Sequence, residues 1–76
     1  MKKQYSVPAL EKSIAILEYL ANQEKEYTVT EIYQDLDIPK ATAFIILQVM
    51  EAHSLVTKSQ GGRYSLGPKI YTWGMG

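Results

Sequence analysis

Apolar residues in this 76-residue chain recur at helical spacing over three stretches, and two β-favouring runs follow. Leu10, Ile14, Leu17 and Ala21 set a first stripe, widened by Ile16 and Leu20, while Glu11, Lys12, Glu18 and Gln23 are left for the solvated face. With Pro8 tolerated in the first turn, the spacing predicts a helix over 8–23. The polar link Glu24-Lys25-Glu26 ends it, and Tyr27-Thr28-Val29 suits a short extended segment. Thr28-Val29-Thr30-Glu31 has the form of a capping box, in which the threonine oxygen and the glutamate each satisfy an otherwise unpaired N–H at a helix start. A second helix begins there, with Val29, Ile32 and Leu36 on one face, and stops near Asp35 to Asp37 because Ile38 precedes a proline.

After a turn of about three residues, which forces two helices to cross steeply, Pro39 opens a third helix over 39–53. Projected at 100° per residue, Ala43, Ile46, Leu47 and Met50 form its core face. Ala41, Phe44, Ile45, Gln48 and Ala52 lie opposite, with Lys40 and Thr42 near the N-terminal end, so the outward face is unusually apolar. Leu55-Val56-Thr57-Lys58 and Arg63-Tyr64-Ser65-Leu66 then flank Ser59-Gln60-Gly61-Gly62, which is a hairpin signal. Gly67-Pro68 breaks the second strand, and Pro68 starts a last helix carrying Ile70, Tyr71, Trp73 and Met75.

This order is mostly α with a small β-hairpin: a three-helix core plus wing, or winged helix-turn-helix, followed by the start of a linker helix. Its dominant use is to hold a helix in the major groove of DNA. Residues 1–66 form the DNA-binding domain on this reading, and 67–76 begin a linker helix. That helix offers more apolar surface than one terminal turn can bury, so it is expected to continue into a longer parent protein whose C-terminal effector domain is absent here, or to pair with a second copy.

Size and charge narrow the function. A domain this small has no room for a deep catalytic cavity, and neither a nucleophile motif nor a phosphate loop is present, so an enzyme is not expected. His53 is the single histidine and there is no cysteine, which leaves no metal-ligand spacing and no cofactor implied. His53 is expected to mark the end of the third helix. No apolar run is long enough for a membrane span and the start is polar, so a cytoplasmic location is expected. The net charge of zero argues against nucleic acid, but it is unevenly placed. Residues 1–38 hold four basic against seven acidic groups, a balance of −3, and residues 39–76 hold four against one, a balance of +3. The half that carries the third helix and the wing is the basic half.

Several runs point to a family. Val7 to Leu17, Thr30-Glu31-Ile32, Ile38-Pro39-Lys40-Ala41-Thr42, Leu55-Val56 and Arg63-Tyr64-Ser65-Leu66-Gly67-Pro68 resemble the N-terminal domain of IclR-type transcriptional regulators, over nearly the whole chain. The resemblance implies a winged helix-turn-helix, homodimerisation through the N-terminal region and linker helix, and binding to a palindromic double-stranded DNA operator. It also marks departures. Phe44-Ile45 stands where the family usually has His-Arg, Lys12 where it favours arginine, Asp37 where a turn glycine is common, and Ser54 where a glycine usually follows the helix.

The candidate DNA-binding residues are Lys40, Ala41, Thr42, Phe44, Ile45, Gln48, Lys58, Arg63, Lys12 and Thr30. Lys40 and Thr42 suit phosphate or base edges at a helix N-terminus. Gln48 can pair bidentately with adenine, and Phe44 or Ile45 can pack on thymine methyls, which suggests an A·T-leaning half-site. Lys58 and Arg63 flank the wing turn, where Arg63 can reach phosphate or a minor groove. Thr28 and Thr30 serve first as cap residues, and the resemblance adds a phosphate contact at Thr30. Tyr19, Tyr27, Tyr33, Tyr64, Tyr71 and Trp73 are not expected to be arrayed on one sheet, so they read as packing and dimer residues rather than a base-stacking platform. The alternative keeps the fold and makes it a protein-docking module with weak, non-specific DNA binding, using Phe44, Ile45 and the last helix. No small-molecule site is expected in this fragment.

Overall fold

A computed structural model of the protein describes residues 4–22 and 25–75. Gln23 and Glu24, placed above on the solvated face and in the following link, lie outside the described residues, as do Lys2 and Lys3 of the charge balance. The elements run α1 (Pro8–Ala21), β1 (Tyr27–Thr28), α2 (Val29–Asp35), α3 (Lys40–Ala52), β2 (Val56–Lys58), β3 (Arg63–Leu66) and α4 (Pro68–Met75). The hairpin β2–β3 is the expected wing, with Val56 paired to Leu66 and Lys58 to Tyr64. The short segment before α2 does more than extend: it pairs antiparallel with β3, Tyr27 to Tyr64 and Thr28 to Arg63, making a three-stranded sheet in the order β1-β3-β2.

The capping box forms as its sequence requires. Glu31 N–H donates to Thr28 Oγ1 at 3.1 Å, and Thr28 N–H donates to Glu31 Oε1 at 2.9 Å. Because Thr28 belongs to β1 as well, the cap joins the start of α2 directly to the sheet. Pro39 takes the N-cap position rather than the first helical one, since its ψ of 138° is extended although its φ of −56° suits a helix. Its carbonyl accepts the first helical bond, from Ala43 N–H at 3.0 Å.

Both helices of the helix-turn-helix end in the same backbone device without a glycine. After α2, Asp37 adopts φ 55°, Asp37 N–H donates to Gln34 O and Ile38 N–H to Tyr33 O. After α3, Ser54 adopts φ 63°, Ser54 N–H donates to Glu51 O and Leu55 N–H to Met50 O. This is the Schellman motif, which satisfies the last carbonyls and needs one left-handed residue. Aspartate reaches that conformation with help from its side chain, whereas serine does so at greater cost. His53 sits just before, as the C-cap of α3.

The core comprises Ile16, Leu20, Tyr27, Ile32, Ile38, Ala43, Ile46, Leu47, Met50, Val56 and Tyr64, so the projection of α3 names its buried face correctly. The projection of α1 does not. Ile16 and Leu20 are buried, while Leu10 and Ile14 are 56% and 46% exposed and Ala21 is exposed too. Two apolar stripes lie side by side on this helix, and the core of one small domain covers only the stripe that faces α3 and β3. Beyond the wing, Gly67 N–H donates to Leu55 O and Lys69 N–H to Ser54 O, so the end of the sheet is laced to the end of α3. A Cβ on Gly67 would lie 2.3 Å from the Ser54 carbonyl oxygen, which explains why the chain needs glycine there.

Gly67→Ala should therefore destabilise the fold by about 1–3 kcal/mol, the range for overpacking against a backbone that cannot retreat. Ser54→Gly should stabilise it by about 1 kcal/mol through relief of the left-handed residue, and Asp37→Gly by less. Thermal unfolding of the three variants checks both the signs and the order.

Candidate nucleic-acid interface

With Ala43, Ile46, Leu47 and Met50 committed to the core, the remaining face of α3 is fixed toward solvent. Lys40, Ala41, Phe44, Ile45 and Gln48 are all exposed on it, and Thr42 is half-buried at its edge. Phe44 is 49%, Ile45 61% and Val49 54% exposed. Val49 is absent from the sequence-derived set. On the helical projection it lies between the outward face and the core face, and in the fold it falls on the outward side. No side chain caps the first turn of α3, so its amide end remains open beside Lys40.

The second group of candidates gathers where the wing meets α2. Arg63 Nη1 lies 3.8 Å from Glu31 Oε1, with both side chains about half exposed. This is a contact between elements, placed there by the Thr28–Arg63 strand register and not by the wing turn itself. An exposed pair at this distance contributes at most about 1 kcal/mol, so Arg63 is held and yet available. It also couples the basic half of the chain to the acidic half. Thr30, the second residue of α2, is exposed next to this pair in sequence. Lys58 is exposed at the end of β2, with its ammonium 5.9 Å from the centre of the Tyr64 ring. The turn between them closes through Ser59 N–H to Arg63 O and Gly62 N–H to Ser59 O, with Gly62 at φ 75°. That is the glycine-dependent geometry of a three-residue hairpin loop.

Lys12 is not brought to the exposed face of α3. It is half-buried on α1 and lines a shallow groove with Pro8, Glu11, Ala15, Leu36, Asp37 and Ile38, beside the turn that joins α2 to α3. A larger open groove of about 360 Å³ lies between the end of α1, β3 and α4, lined by Leu20, Ala21, Lys25, Glu26, Ser65, Leu66 and Tyr71. No charged side chain is buried among the described residues.

The Tyr19 hydroxyl is perturbed. Burial of the Tyr19 ring, followed by its hydrogen bond to the Asp35 carboxylate and that group's negative charge, holds the Tyr19 hydroxyl protonated well above the ordinary phenol range. Tyr19 belongs to α1 and Asp35 ends α2, so the bond ties the scaffold helix to the helix-turn-helix. It is structural and stands apart from α3.

The arrangement is a winged helix-turn-helix, a solvent-facing helix backed by two others and flanked by a β-hairpin. Residues 9–60 match the model of the IclR helix-turn-helix domain, and the chain belongs to that family. It is 36% identical over 72 residues to the HTH-type transcriptional repressor AllR of Escherichia coli K12, a match covering 93% of this chain and 27% of that protein. The chain thus spans about a quarter of the relative's length. Among solved structures it superposes on an IclR transcriptional regulator from Alicyclobacillus acidocaldarius with a TM-score of 0.86 and 31% identity, covering 93% of this chain and 29% of that one. The Agobacterium tumefaciens repressor BlcR matches with a TM-score of 0.83 and 33% identity, covering 92% and 28%.

The Tyr19 latch has a pH signature. In the unfolded chain the phenol ionises near pH 10, whereas in the fold it keeps its proton, so above about pH 10 the unfolded state binds fewer protons and stability falls as pH rises. Tyr19→Phe should lose roughly 0.5–1 kcal/mol at neutral pH. That deficit should shrink at alkaline pH, as read from denaturant unfolding of both proteins from about pH 7 to 11.

Proposed function

We propose that this chain is the DNA-binding domain of a transcriptional regulator, with α3 in the major groove and the wing along the adjacent backbone. The observation that carries the reading is the exposed face of α3, open at its amide end beside Lys40, in a chain of this family. Two of the relatives are named as repressors, which supports a regulator. The protein-docking alternative is not favoured for the same reason. Residues 1–66 are then the winged helix-turn-helix domain, and 67–76 begin a linker helix.

Lys40, the open amide end of α3, Lys58 and Arg63 supply phosphate contacts, with Thr30 a further one at the start of α2. Ala41, Thr42, Phe44, Ile45 and Gln48 face the bases. Lys12 acts through its place beside the α2–α3 turn. Two copies associate through the exposed stripe of Val7, just before α1, with Leu10 and Ile14 on it, and through Tyr71, Trp73 and Met75 of α4, all of them large apolar side chains left in water. Such a dimer places two α3 helices on half-sites about one helical turn apart. Among the described residues no helix is long and apolar enough to cross a membrane, and a cytoplasmic location suits a DNA-binding regulator.

Titration of binding against salt tests the assignment. Each phosphate contact contributes about 0.9 to the slope of log K against log salt, so Arg63→Ala should lower the slope by roughly one per monomer. Glu31→Gln preserves the capping box, because an amide oxygen can accept from Thr28 N–H, yet it frees Arg63 and removes a negative charge. Affinity at low salt should rise roughly two- to fivefold. Binding that ignores salt, or an Arg63→Ala protein with an unchanged slope, would count against a wing on the backbone.

A further inference from the structure

The exposed face of α3 is mostly apolar. At 100° per residue Ala41, Gln48 and Ala52 lie at the centre of this face, with Phe44 on one flank and Ile45 and Val49 on the other. Gln48 is the one side chain at that centre able to hydrogen-bond a base edge. Among the four bases, only thymine presents an apolar group in the major groove, its C5 methyl. Apolar side chains set against a G·C pair would strip water from the guanine O6 and N7 and the cytosine N4 without replacing those hydrogen bonds, which costs free energy. Set against thymine they gain a methyl contact instead. Attraction to one base and a penalty for the others act in the same direction.

Charge favours a nucleic acid over an apolar protein surface as the occupant of this face. Lys40 and the open amide end of α3 sit at one end of the patch, and α3 packs against β2, which carries Lys58. An apolar strip beside cations suits methyl groups lining a groove between phosphates.

We propose, resting on the placement of α3 in the major groove, that its specificity is set by C5 methyl groups. Ile45 and Ala41 meet thymine methyls near the centre of the half-site, Phe44 and Val49 close the flanks against water, and Gln48 pairs with an adjacent adenine. Ala41 is small enough to let the helix approach closely. Because the ligand group is the methyl and not the rest of the base, 5-methylcytosine stands in for thymine at the positions where no adenine is read. Binding at such a position responds to cytosine methylation.

The test starts from a random duplex pool enriched on the full 76-residue chain, followed by replacement of each thymine of the selected duplex with deoxyuridine, which removes only the methyl. Two or more positions per half-site should each lose about fourfold in affinity, the value of one buried methyl. Ile45→Ala, at an exposed position whose folding is checked by thermal unfolding, should abolish the loss at one of those positions and leave the others. At a methyl-only position, 5-methylcytosine should bind more tightly than cytosine. Deoxyuridine without effect, half-sites selected without thymine, or an Ile45→Ala protein with every methyl penalty intact would overturn methyl reading while leaving the DNA-binding function in place. A pool that yields no preferred sequence would overturn both.

Discussion

The structure depends on how one face of α3 is consumed. Ala43, Ile46, Leu47 and Met50 are buried against the elements around them, and burying a side chain the size of Ile46, Leu47 or Met50 is worth roughly 1.5–3 kcal/mol. Once that face is spent, the opposite face has only one place to go, which is outward. The alanine at 43 has no exposed surface, so a bulkier side chain there would have to displace its neighbours. Around this anchor the chain uses backbone devices of modest strength. The Schellman ends at Asp37 and Ser54 set where α2 and α3 stop, and the lacing of Gly67 and Lys69 to Leu55 and Ser54 fixes where the wing ends relative to α3.

Position and chemistry are divided between the two ends of the interface. At the wing, the capping box, the strand pair Thr28–Arg63 and the ion pair Glu31–Arg63 share the same few atoms, so the arginine that suits a phosphate is also part of the joint between sheet and helix. At α3 the exposed groups are mostly apolar, with Lys40, Thr42 and Gln48 the polar ones toward its N-terminal half and centre and Glu51 near its end. On the proposed reading, phosphates would give affinity and register, while shape and methyl contacts would carry the sequence information.

Much of this was legible beforehand. The capping box, the hairpin, the buried face of α3 and the short segment before α2 all follow from local rules, in which residue type and spacing decide the outcome. The family resemblance rests on motifs whose physical cause the fold supplies, Gly67 above all, where a Cβ would strike the Ser54 carbonyl. What escaped depends on non-local contacts. The pairing of β1 with β3 and the Glu31–Arg63 contact join residues more than thirty positions apart, and no spacing rule reaches that far. The two stripes of α1 are alike in composition, and only the placement of α3 and β3 decides that Ile16 and Leu20 are inside while Leu10 and Ile14 are outside. The exposure of Val49, between the two faces of α3 on the projection, is likewise decided by packing rather than by spacing.

The central claim is that the exposed face of α3 is the surface that meets DNA. Amide and methyl chemical shifts followed during titration of the labelled chain with duplex DNA test it most directly. The account predicts the largest changes at Lys40, Ala41, Phe44, Ile45, Gln48 and Val49, with smaller ones at Lys58 and Arg63, and a quiet core. Changes concentrated on Leu10, Ile14, Tyr71 and Trp73, with α3 unmoved, would contradict it.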